Sequence, residues 1–137
     1  MRSAGRAASF LYIAVVYAIS LAVAVAVGAL VGTDTPPVTV LLADLAATVV
    51  VFAGSRIGDN TSVYDAYWSV APPVIAVFYL VVAEPGVPVG RQVVVTLLVF
   101  AWAIRLTANW ARSFAGMDHE DWRYANARDN GFPYWPQ

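Results

Sequence analysis

The side chains with the most chemical potential in this chain are charged residues set among apolar ones. Asp44 interrupts the run VTVLLADLAATVVVFAG. An acid near the centre of an apolar helix costs about 2.5–3.5 kcal/mol on insertion scales, against about 0.3–0.6 kcal/mol returned by each Leu, Val or Phe. Asp44 must therefore face protein or water, and a buried acid whose pKa is raised by desolvation is equipped to donate a proton. Further along, Trp102, Arg105, Asn109 and Arg112 recur at i, i+3, i+7 and i+10 and form one helical stripe, while Asn60, Ser62, Asp65, Trp68 and Ser69 lead into the preceding apolar run. Two readings of these residues stand side by side. In one, Asp65 caps its helix and the arginines snorkel to the interface. In the other, a water-filled cavity opens to the cytoplasm and its arginines bind an anion such as a phosphate, which a planar guanidinium suits. Arg105, two turns inside its run, discriminates between them. The segment DHEDWRY (Asp118 to Tyr124) is rich in ionisable groups but has no metal-ligand spacing and reads as an exposed charged turn. With no cysteine and only His119, neither a thiolate site nor a histidine cluster can form, so no metal site is expected.

Those side chains need helices in a bilayer to position them. Of 137 residues, 60% are hydrophobic and 12% charged, where a soluble domain carries roughly 45–50% and about 25%. The apolar residues gather into runs suited to a hydrocarbon core about 30 Å thick. The expectation is an all-α membrane protein of four transmembrane helices, at about 9–31, 38–54, 66–83 and 92–113, with short loops and a polar tail over 114–137. The first run is longer than the apolar part of a secretory signal. Pro36 and Pro37 suit the first turn of the second helix, Pro72 and Pro73 should bend the third, and EPGVPVG makes a turn. The runs are apolar on both faces, which argues against a transmembrane β-barrel. Gly28 and Gly32 form one GxxxG spacing, a weak sign of close helix contact.

Four spans put the N-terminus, the second loop and the tail on one face with Arg2, Arg6, Arg56, Arg112, Arg123 and Arg128, leaving only Arg91 opposite. Short cytoplasmic loops retain positive charge, so both termini are expected in the cytoplasm and the protein in the cell's inner (plasma) membrane. An antiparallel third and fourth helix would bring Asp65 to Arg112 and Trp68 to Asn109. The net charge of −1 and the scattered arginines give no footprint for nucleic acid.

The segments NTSVYDAYWSVAPP, WAIRLTANWAR and G-x-x-HEDWRY, in that order and at these separations, resemble the bacterial membrane family known as domain of unknown function 1295, from about Asp44 to Arg128. That family looks like a branch of the steroid 5-alpha-reductase C-terminal superfamily, whose members use NADPH to reduce a carbon–carbon double bond in a lipid. The resemblance implies the N-terminal half of such a reductase. It places Asn60, Asp65, Trp68, Arg105, Asn109, His119, Glu120, Asp121, Arg123 and Tyr124 at the family's marked positions. By the same analogy an early acid and aromatic hydroxyls polarise the substrate carbonyl. Asp44 and Asp65 are then the catalytic candidates, with Arg105, Asn109, Arg112, Asp121, Arg123 and Tyr124 the candidates for binding NADPH. The family's later R-H-P-N-Y-x-G-E-like block and the acidic segment before it do not occur in this sequence. The chain is accordingly expected to be a truncated product, half of a split enzyme completed by a C-terminal half or by homo-oligomerisation, or a non-enzymatic module that binds a membrane lipid or partner helices. No inverted repeat suggests a transporter.

Overall fold

The computed structural model describes residues 5–117 and residue 126. Its helices are α1 (Arg6–Val31), α2 (Pro36–Ile57), α3 (Ser62–Asp65), α4 (Tyr67–Val81) and α5 (Val89–Ser113), with no strand among the described residues. Three of them, α1, α2 and α5, are long and apolar enough to cross a membrane. That corrects the expectation of four. The third run is helical but divided at Ala66, and its main part, α4, has 15 residues, a rise of about 22 Å against a hydrocarbon core of about 30 Å.

The local chemistry explains the division. Pro72 and Pro73 have no N–H to offer the carbonyls of Trp68 and Ser69, so the start of α4 has a weakened hydrogen-bond ladder. There the Ser69 N–H donates to the Ala66 carbonyl at 3.1 Å, a tighter turn than an α-helix makes, and the Ser69 hydroxyl donates to the same oxygen at 3.0 Å. Helix runs on through the prolines, and the interruption falls before them. Asp65 is not a cap. It is the last residue of α3, and neither α3 nor α4 has a side-chain cap at its N-terminus.

The chain packs as two hairpins, α1 with α2 and α4 with α5, joined where α3 and α4 lie against α2. Gly32, at φ +84°, ends α1 by donating its N–H to the Gly28 carbonyl at 2.9 Å. Pro36 and Pro37 start α2, and the buried Thr39 hydroxyl closes the turn onto the carbonyls of Gly32 and Thr35. Near the other end of the hairpin Gly54 meets Val16 so closely that a β-carbon there would lie 2.7 Å from a Val16 methyl. At Gly28 the same atom would have ordinary contact, 3.8 Å from Thr39. The close approach the sequence suggests at Gly28 and Gly32 is therefore made at Gly54 and Gly58, a GxxxG pair at the opposite end of the hairpin.

Buried side chains fasten that opposite end. Asn60, 1% exposed, donates to the Met117 carbonyl at 2.9 Å and accepts from the Ser62 N–H at 2.8 Å. Ser9, also 1% exposed, accepts from the Met117 N–H at 3.0 Å, and the Arg6 guanidinium donates to the Ala111 carbonyl at 2.6 Å. Phe10 on α1 adds edge-on ring contacts of 5.8 Å to Trp110 and 5.2 Å to Phe114 at the end of α5, and those two rings stack on each other at 4.9 Å. The start of α1, the loop after α2 and the segment after α5 therefore share one end, as their arginines suggest, and α4 runs antiparallel to α5. The Ser69 and Thr107 hydroxyls meet at 2.9 Å, within one residue of the expected register.

Candidate functional site

Between α1, α2 and α4 lies a cavity of ≈ 610 Å³ whose walls are Ala, Val, Leu and Phe side chains, including Leu21, Val40, Ala47, Val74 and Phe78. At one end its lining becomes polar, with Asp44, Tyr67 and Tyr17; at the other it reaches Thr33 in the turn between α1 and α2. Asp44 lies about 16 Å from Ser55 along α2, at about 1.5 Å per residue. That is roughly halfway through a hydrocarbon core about 30 Å thick, where an acid needs a partner. Tyr67 supplies it: the buried phenol donates to Asp44 Oδ1 at 2.7 Å. Asp44 itself is half-buried and opens into the cavity.

Aromatic rings hold this pair in place. Tyr17 packs edge-on against Tyr67 at 6.2 Å and donates to the Val63 carbonyl at 2.6 Å, pinning α3 against α1. Tyr64 lies 6.2 Å from Tyr67 and 5.4 Å from Trp68. Burial, and after it the Asp44 carboxylate, raises the pKa of the Tyr64 phenol. The cluster satisfies its own hydrogen bonds: no buried side-chain nitrogen or oxygen among the described residues lacks a partner. Chemically it is one carboxyl and one phenol joined by a hydrogen bond at the polar end of an apolar slot, an arrangement that can donate to or accept from one oxygen of a ligand.

The candidates taken from the sequence separate in space. Asp44 lines the cavity. Asp65 is half-buried on α3, within electrostatic range of the Tyr17 phenol but not part of the cavity wall. Arg105, Asn109 and Arg112 are exposed on α5, and among the described residues the cavity wall contains no arginine. Of the two readings of the stripe, the arginine-lined one does not describe this cavity: α5 turns Ala103 and Thr107 inward and leaves the stripe outside. Asp121, Arg123 and Tyr124, with His119 and Glu120, lie outside the described residues. Sequence reasoning passed over Tyr67 and Tyr17. Their importance comes from contacts between helices, which no spacing within one helix records.

A group of three or more His, Cys, Asp or Glu able to hold a metal does not occur among the described residues. Of the residues that the resemblance assigns to NADPH, only Arg105, Asn109 and Arg112 are among the described residues. Arg105, Asn109 and Arg112 do not converge on Asp44, so the described residues do not together form a site that would present a nicotinamide to it.

Neither the curated proteins nor the solved structures contain a match to the chain. The model of the family described as Protein of unknown function (DUF1295) matches residues 49–135, from the middle of α2 past the end of α5, and the chain belongs to that family.

Proposed function

We propose that the protein holds a membrane lipid in the cavity between α1, α2 and α4, with a carbonyl or hydroxyl of the lipid placed at Asp44 and Tyr67. The observation that carries this reading is the 2.7 Å hydrogen bond between Tyr67 and Asp44 at the inner end of an otherwise apolar slot of ≈ 610 Å³. An apolar cavity with a few convergent polar groups is the usual form of a ligand site, and here the ligand's body would be drawn from the bilayer. The arginine-bearing end, with Arg6, Arg56 and Arg112, faces the cytoplasm in this reading. The membrane is the cell's inner membrane.

A second reading follows from the same pair and from the resemblance to steroid 5-alpha-reductase-like proteins. A carboxyl and a phenol on a lipid carbonyl withdraw electrons from a conjugated double bond, which is the polarisation that reduction by NADPH requires. In that reading the chain supplies the lipid site of the reductase, and a complementary half or a second copy contributes to binding the nucleotide.

The test uses purified protein in detergent and a photoreactive long-chain ketone. Saturable labelling of α1 and α4 is expected, with affinity lowered about fivefold to tenfold in Asp44→Asn and in Tyr67→Phe, the loss of roughly one hydrogen bond. Labelling that does not saturate, or that both variants leave unchanged, would reject the site. Consumption of NADPH that depends on a conjugated lipid ketone would favour the second reading over simple holding.

A further inference from the structure

The arginines that the cavity excludes have an environment of their own. Arg105, Asn109 and Arg112 stand at i, i+4 and i+7 on α5, with Trp102 at i−3, so all four project from one side of the helix. All are exposed, Trp102 by 47%, and on the same helix Leu97, Leu98 and Ile104 are exposed as well. This is a lipid-facing surface carrying two permanent positive charges. Among the described residues no hydrogen bond or ion pair engages the Arg105 or Arg112 side chain, although Arg6 nearby is engaged with Ala111 and Phe10.

Depth decides what their partner is. Arg105 lies about 12 Å from Ser113 along α5, at about 1.5 Å per residue, and Arg112 lies in the last turn. Long arginine stems reach toward the nearer interface, which brings the Arg105 guanidinium up toward Asn109 and Arg112 at the level of the lipid phosphates. An unpaired cation within the hydrocarbon is costly. A phosphodiester supplies the opposite charge and oxygens that match the guanidinium fork. Trp102, one turn deeper, offers a ring for the adjoining glycerol and upper acyl chain, the position aromatic belts take. A second copy of α5 would instead set arginine against arginine.

We propose that Arg105, Asn109 and Arg112 form a binding site for the phosphate of an anionic membrane phospholipid, seated on the outer face of α5 with its acyl chains along Trp102. The site is separate from the cavity and does not depend on what the cavity holds.

The experiment titrates delipidated protein in neutral detergent with bromine-labelled phosphatidylglycerol and, separately, with bromine-labelled phosphatidylcholine, reading tryptophan fluorescence. Quenching is expected at roughly tenfold lower concentration for phosphatidylglycerol, the size of one charge-assisted contact. Trp102→Phe should remove the high-affinity quenching amplitude. Arg105→Gln with Arg112→Gln should abolish the headgroup preference, and the paired lysine replacements should largely restore it, showing that the protein still folds. Equal affinity for the two lipids, or a preference that survives the glutamine replacements, would overturn the proposal. Displacement of phosphatidylglycerol by NADPH at matched affinity would also overturn it, because the site would then belong to a soluble phosphate.

Discussion

Asp44 and Asn60 show what a single polar residue does when water is absent. Asp44 could be read from the sequence as a charge that must face protein or water, since its cost in an apolar run is large. Its partner could not, because Tyr67 lies on another helix and no periodicity links the two. Asn60 was visible as part of a polar loop, and its spacing carried no sign that its amide joins the loop to the segment after α5. The side chain is buried, so removing it leaves the Met117 carbonyl and the Ser62 N–H without these partners. Asn60→Ala should destabilise the fold by about 1–3 kcal/mol, and the loop between α2 and α3 should become an early site of proteolysis. Denaturation in mild detergent with limited trypsin cleavage at Arg56 would check both. An unchanged cleavage rate would mean that the latch is dispensable.

At the scale of the element, all four apolar runs were legible as helices because they are long and nearly free of charge. Their ends were less so. The structure extends α1 back to Arg6 and α5 back to Val89, since a helix continues until its backbone groups find other partners, whatever the polarity of its side chains. The division at Ala66 arises from the prolines six and seven residues later, which withhold hydrogen bonds from the turn preceding them. Helix contact is likewise decided by shape. Gly54→Ala should force Val16 aside and cost about 1–3 kcal/mol, whereas Gly28→Ala, whose β-carbon would make only ordinary contact with Thr39, should be near neutral or slightly stabilising. Comparing thermal unfolding of the two variants tests this; equal loss in both would show that the α1–α2 hairpin is not packed as described. For α4 and α5 the register was recoverable to within one residue from matched depths, while the choice of face was not. The polar stripe of Arg105, Asn109 and Arg112 suggested an inward face, and Thr107 occupies it instead.

Across the whole molecule, the turns fall at two opposite ends, and the chain's lack of cysteine makes their location measurable. In spheroplasts, Asp34→Cys and Pro85→Cys should react with a membrane-impermeant maleimide from outside, whereas Ile57→Cys should react only after lysis. The reverse pattern would invert the proposed orientation and with it the leaflet that supplies the phospholipid to α5. The amino-acid sequence was sufficient to establish the solvent of this protein, the helical form of its runs and the end at which its arginines gather, because hydrophobicity and charge act on each residue separately and add along the chain. The cavity, the Asp44–Tyr67 pair, the Gly54–Val16 contact and the outward turn of the arginine stripe required the tertiary structure. Each depends on which faces of different helices meet, and in a chain apolar on nearly every face that choice rests on the fit of small residues and a few hydrogen bonds rather than on hydrophobicity.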